Sequence, residues 1–259
     1  MPRATLRRRL IGASLSWFLF DVYSYGLSVY SAVIVGWIYD GHISIAKDAW
    51  INVLSAAAGL PGVFLSVRFL ERTNGDLGRL QAAGFATAAA AFCAFAALWG
   101  FAPTATLFMG YVGLRAAINF GASVSTFVAP ALLFPTPLRA SCNGLASAIG
   151  KLGGLIGTFA LVPIVDLSTP ALVFFLLAFV AAAGLATTLL LLGDTFNTHY
   201  NENFLLLKRH FTLEDDGIAA GDGLLDNNNN NHKHQPPDEL SRLLATDHDE
   251  EVPAASLIM

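Results

Sequence analysis

Six apolar segments dominate this chain: residues 10–39, 49–67, 80–101, 104–133, 140–165 and 170–192, each of 19 residues or more. A helix rises ~1.5 Å per residue, so every one of them can cross a hydrocarbon core about 30 Å thick. Backbone N–H and C=O groups find no partners in lipid, so these segments must satisfy them internally, as helices. The expected fold class is an all-α membrane protein with six transmembrane helices. Composition agrees, with 54% hydrophobic and 13% charged residues against the roughly 25% charged of a soluble domain. The charges gather at the ends, which divides the chain into a basic N-terminus (1–9), a six-helix body (10–192) and an acidic, low-complexity tail (193–259).

Basic residues set the orientation. Arg3, Arg7, Arg8 and Arg9, then Arg68, Arg72 and Arg79, then Arg139, then Lys208 and Arg209 all fall on one side of the six spans, whereas the opposite loops offer Lys47. Both termini are expected in the cytoplasm. The first apolar run is too long for the core of a signal peptide, so it is read as a retained helix.

Few residues suggest chemistry. Cys93 and Cys142 fall in or at the ends of apolar segments and read as small buried hydrophobes. There is no glycine-rich phosphate loop, no nucleophile elbow and no His/Cys cluster, so neither an enzyme nor a metal or cofactor site is expected, nor a nucleic-acid partner. His232 and His234 sit beside an Asn run, in a tail whose composition reads as disordered. Within that tail Glu239 precedes Leu243 and Leu244 in "ELSRLL", the pattern of an acidic dileucine sorting signal. "GKLGGLIG" places Gly153 and Gly157 at the spacing of close helix contact.

Three charges lie inside the apolar segments: Asp21, Arg115 and Lys151. Ionisable groups at such depth face a bundle interior or a wet cavity. Trp17 and Tyr25 lie four residues either side of Asp21, and steps of four keep one helix face. An indole N–H, a carboxyl and a phenol O–H thus line up, two donors around a group that can carry a proton.

These residues resemble a known family. "WFLFDVYSYG" is similar to the seventh helix of phosphate:proton symporters of the major facilitator superfamily. "NFGASVSTFVAPALLFPTPLRASCNGLASAIGKLGG" resembles their tenth and eleventh helices, and "ERTNGDLGRLQAAGF" their Asp-Arg-x-Gly-Arg loop with two extra residues. The resemblance spans nearly all of residues 7–192. It implies that Trp17, Asp21, Tyr25 and Lys151 contact inorganic phosphate, with Asp21 coupling protons, and that Glu71, Arg72, Arg79 and Arg139 belong to a cytoplasmic gate. Ala122 and Ser123 stand where the family has Pro and Asn, Leu132 where it has Glu, and Pro137 where it has Arg. The last two differences touch the gate rather than the substrate site.

Facilitators contain two six-span halves, each built of two inverted three-helix repeats, and the resemblance here is to the C-terminal half. The chain is therefore expected to be a truncated gene product, a degenerate copy, or a subunit that needs a complementary N-terminal half or a second copy. In the inverted repeat the fourth span matches the first, and Tyr111, Arg115 and Asn119 repeat the spacing of Trp17, Asp21 and Tyr25. Arg115 and Asn119 are expected to join the substrate site, where the three intramembrane charges sum to +1 and suit an anion. Proton-coupled uptake of inorganic phosphate is the expected function, in the plasma membrane or an endosomal or vacuolar membrane. The alternatives are a carrier of an organic anion or sugar, and a non-transporting membrane partner of a full transporter.

Overall fold

The computed structural model describes residues 3–39, 44–167 and 169–193. They form nine α-helices and one π-helical turn, with no strand among them: α1 (Arg3–Val29), α2 (Ser31–Ile38), α3 (Ile45–Ala57), α4 (Gly59–Arg72), α5 (Leu77–Leu98), α6 (Thr104–Asn119), α7 (Ala122–Leu133), α8 (Thr136–Leu167), α9 (Pro170–Thr187) and the π turn Thr188–Leu192. Five spans are long and apolar enough to cross a membrane: Ile45–Arg72, Leu77–Leu98, Thr104–Leu133, Pro137–Val162 and Pro170–Leu192. The helix pair α1–α2 makes a sixth, bent by 56° at Tyr30.

Each expected segment overlaps one observed span, with the largest differences at the start of the first and at both ends of the second, expected at 49–67 and observed at Ile45–Arg72. Helix α1 already begins at Arg3, so the basic N-terminus is mostly an extension of the first span. Two of its arginines serve backbone carbonyls. Arg9 Nη1 donates to Leu133 O at the end of α7 (3.2 Å), and Arg8 Nη2 to Leu190 O in the π turn (2.6 Å). Both carbonyls belong to helix ends or irregular turns, whose oxygens lack regular helical partners.

Loop chemistry sets the remaining boundaries. Asn74 and Gly75 adopt left-handed backbone conformations (φ 53° and 82°), which closes α4. Asp76 then caps α5, accepting from Arg79 N at 2.9 Å. Span four is broken at Phe120 and Gly121. Gly121 has φ 67°, its N–H donates to the buried Ser66 Oγ at 2.8 Å, and its backbone presses on that of Gly84 in α5.

The core is aromatic. Tyr23 meets Phe85 and Phe92 edge-on, and Phe95 meets Phe174 with centroids 4.6 Å apart. All five side chains are buried, and they tie α1 and α9 to α5. The other side of α1 lies on α8 with almost no side chain between them. A Cβ added to Gly153 would strike the backbone of Phe18, one added to Gly157 the backbone of Val22, and one on Gly26 the side chain of Leu161. The contacts advance by four on both helices at a constant offset, so α1 and α8 run in the same direction. Gly153 and Gly157 therefore make the close contact their spacing suggests.

A side chain at this seam must push the helices apart, and overpacking costs at least about 2 kcal/mol when backbone is the obstacle. Gly157→Leu is expected to lower the thermal unfolding midpoint of the detergent-solubilised protein. Gly144→Leu, on the same helix where a Cβ meets nothing within 4 Å, is expected to leave it unchanged.

Candidate functional site

The seam places the intramembrane charges. Just beside it, Gly150 and Gly154 of α8 lie under the rings of Trp17 and Tyr25; added Cβ atoms would come within 2.6 Å and 3.1 Å of them. Lys151 lies between these two glycines in sequence. Its Nζ donates to Asp21 Oδ2 at 3.1 Å and to Tyr25 Oη at 2.8 Å, and it stands 4.7 Å from the centre of the Tyr25 ring. Four expected residues are thus brought together by one helix pair. Trp17 adds an edge contact to Phe127 of α7.

The four differ in access. Asp21 is 2% exposed and Trp17 6%, whereas the Lys151 side chain is 56% exposed and Tyr25 41%. The carboxylate is dry and the ammonium stands in front of it. A buried carboxylate is costly unless paired and hydrogen-bonded, and Lys151 supplies both. The lysine's outward side can meet an anion without moving Asp21. Tyr25 already accepts from Lys151, so its own O–H proton remains for an incoming acceptor.

Arg115 and Asn119 lie elsewhere. Arg115 Nη1 donates to Ser28 Oγ at 3.2 Å, nearer the C-terminal end of α1 than Asp21. Asn119 Nδ2 donates to Arg115 O at 2.8 Å and packs against Gly59 of α4. These two residues form a second polar group between spans two and four. Ser123, at a departing motif position, donates to Asn119 O at 2.7 Å.

That second group includes residues the sequence reading missed. Asp48, Asn52, Ser55, Gly59, Gly62 and Ser66 recur at steps of four and three, so they share one face of span two, and the last three positions' contacts turn it to span four. Asn52 Nδ2 donates to both Asp48 O (3.0 Å) and Asp48 Oδ1 (3.1 Å). Asn52 Oδ1, Ser55 Oγ, Tyr111 Oη and Arg115 Nε are buried without a hydrogen-bond partner among the described residues. The signal was available as a small-and-polar stripe in an otherwise apolar segment.

The expected gate residues hold local partners. Glu71 lies 3.7 Å from Arg68, Arg79 pairs with Asp76 at 3.0 Å, and Arg139 Nε donates to Phe134 O at 3.4 Å. Arg72 is exposed at the end of α4. The dileucine residues Glu239, Leu243 and Leu244, with His232 and His234, lie outside the described residues. Cys93 is exposed and Cys142 buried, and neither is disulfide-bonded.

Comparison with known proteins bears on this arrangement. No family model matches the chain. It is 34% identical over 165 residues to inorganic phosphate transporter PHO84 of Saccharomyces cerevisiae, covering 61% of this chain and 27% of the yeast protein. It is 30% identical over 158 residues to inorganic phosphate transporter PT2 of Toxoplasma gondii, covering 60% of this chain and 27% of that one. Against the probable inorganic phosphate transporter 1-9 of Arabidopsis thaliana it is 28% identical over 222 residues, or 76% of this chain and 41% of the plant protein.

The Asp21–Lys151 contact is expected to couple energetically in spite of the lysine's exposure. In a double-mutant cycle of Asp21→Asn and Lys151→Gln on thermal stability, the coupling should be about 1 kcal/mol. A value of zero would show that the two side chains do not depend on each other. Taken with the six apolar spans, the likeness makes the chain a multi-pass integral membrane protein whose curated relatives are inorganic phosphate transporters, of whose length it spans between 27% and 41%.

Proposed function

We propose that the chain is one six-span half of a proton-coupled carrier of inorganic phosphate. The observation that carries this reading is the Lys151 ammonium, held between Asp21 and Tyr25 with its outer side open. Phosphate would accept from Lys151 and from the Tyr25 O–H, with the Trp17 N–H contributing a further donor. It would compete with Asp21 for the lysine. Weakening that pair favours a proton on Asp21, which links substrate and proton on adjacent atoms. Arg115 and Asn119 would line the same path nearer its outer end and leave it a net positive charge with Asp21 ionised.

On this reading both termini are cytoplasmic, and Glu71, Arg72, Arg79 and Arg139 border the inner gate. The plasma membrane or an endosomal or vacuolar membrane is the proposed site. Nothing in the motif set suggests an enzyme, so the role is carriage rather than catalysis. The chain would act with a complementary half. Beside Lys151, α8 exposes Leu152, Leu155, Ile156 and Phe159, an apolar wall interrupted by one cation. A charge on a lipid-facing wall is unfavourable, and a second half would cover it.

Lys151→Ala is expected to weaken phosphate uptake more than tenfold in the active assembly, because a charge-assisted contact out of water is worth about 1.5–3 kcal/mol. Wild-type uptake in that variant would remove the lysine from the site. Uptake by the wild-type assembly should fall as external pH rises, and Asp21→Asn should flatten that dependence. Excess sugars or carboxylates should not compete with labelled phosphate; competition would favour another small metabolite. Reconstituted alone, the chain should show no saturable uptake, and robust uptake would identify a working homo-oligomer.

A further inference from the structure

At the arginine-rich end of the bundle, α4 and α5 both pack on α6 and touch each other little. A groove remains between them with α6 as its floor, enclosing about 390 Å³. Its lining is graded. Arg72 and Arg68, one turn apart on α4, stand at the end next to the loop. Leu65 and Phe69 of α4, with Ala116 and Phe120 of α6, line the part that reaches into the span. Among the described residues Arg68 has Glu71 at 3.7 Å, beyond hydrogen-bond length, and Arg72 has no ion-pair partner. Both guanidinium groups retain donors for an external acceptor.

We propose that this groove holds an anionic phospholipid of the adjoining leaflet, with its phosphate between Arg68 and Arg72 and an acyl chain along Leu65, Phe69, Ala116 and Phe120. Guanidinium pairs favour the bidentate geometry of a phosphate group. Basic pockets between helices on the cytoplasmic side suit anionic headgroups. The apolar part of the groove selects the occupant: an inorganic phosphate ion would leave it unfilled, whereas a lipid brings the phosphate and the chain together. Phe64 and Leu65, 71% and 59% exposed, place this flank of α4 on the outside of the bundle, where lipid is at hand. None of Trp17, Asp21, Tyr25 and Lys151 takes part, so the lipid site stands apart from the proposed transport site.

Native mass spectrometry of the 259-residue chain in mild detergent tests the assignment, with phosphatidylserine, phosphatidylcholine and inorganic phosphate offered at equal concentrations. Phosphatidylserine is expected to be retained about thirtyfold over phosphatidylcholine, following the contribution of two arginines near a membrane surface. Arg68→Gln with Arg72→Gln should remove that preference, and Arg68→Lys with Arg72→Lys, which keeps the charge but not the bidentate fork, should keep only part of it. Thr87→Trp, which fills the groove from α5 and leaves both arginines in place, should also remove it. Lys47→Gln, at the other end of the bundle, should change nothing. Equal retention of the two lipids, or a preference that survives the double glutamine variant, would overturn the proposal. Displacement of phosphatidylserine by inorganic phosphate at the same concentration would do so as well, and would assign the arginines to a free anion.

Discussion

Helices α1 and α8 meet backbone to backbone, and the rest of the site depends on that approach. Gly153 and Gly157 remove the side chains that would hold the helices apart, while Phe18 and Val22 offer only main-chain atoms to them. In a membrane the hydrophobic effect does not drive helices together, so such contacts rest on van der Waals packing at short range. Lysine is long and flexible, and its ammonium could find many positions. The seam fixes the distance from Cα to partner, so Nζ meets the Asp21 carboxylate and the Tyr25 hydroxyl at once.

The same packing divides the charges between wet and dry. Asp21 is enclosed by α1, α8 and its own lysine, and the lysine is left half in the open. The pair's exposed side is therefore positive, with the carboxylate buried behind it. In the proposed carrier, linkage of substrate and proton would require no long relay, because Asp21 and Lys151 already touch. The arrangement comes from one pair of helices, α1 and α8.

Irregular backbone appears where spans two and four meet. Gly121 breaks span four and hands its N–H to Ser66, while Gly84 and Gly62 let neighbouring backbone come close. Broken helices at membrane depth are tolerated when buried in protein, as this one is. Toward the Asp48 end of span two the same interface carries Asn52, Ser55, Tyr111 and Arg115, each with a buried polar atom that has no hydrogen-bond partner among the described residues. Polar atoms in that condition are costly in a low-dielectric interior, and the Tyr23 hydroxyl of the aromatic core shares it.

Much was legible in the residue order. Apolar runs of sufficient length specify spanning helices because lipid offers the backbone no partners, so the spans and their number were fixed locally. Asp21, Trp17 and Tyr25 were identifiable as a set because steps of four keep one helical face, and the family resemblance placed Lys151 with them. Other features depended on the neighbours. That Asp21 is dry while Lys151 is open follows from which side of α8 covers α1. Arg115 repeats the spacing of Asp21, yet it reaches Ser28 instead of the lysine site, because its helix packs on α4 and α5 rather than on α8. The bend at Tyr30, the break at Gly121 and the stripe from Asn52 to Ser66 acquire meaning only against the helices they touch. Spacing along a chain determines which residues share a face; the tertiary structure decides what that face meets, because close packing is a property of pairs of helices.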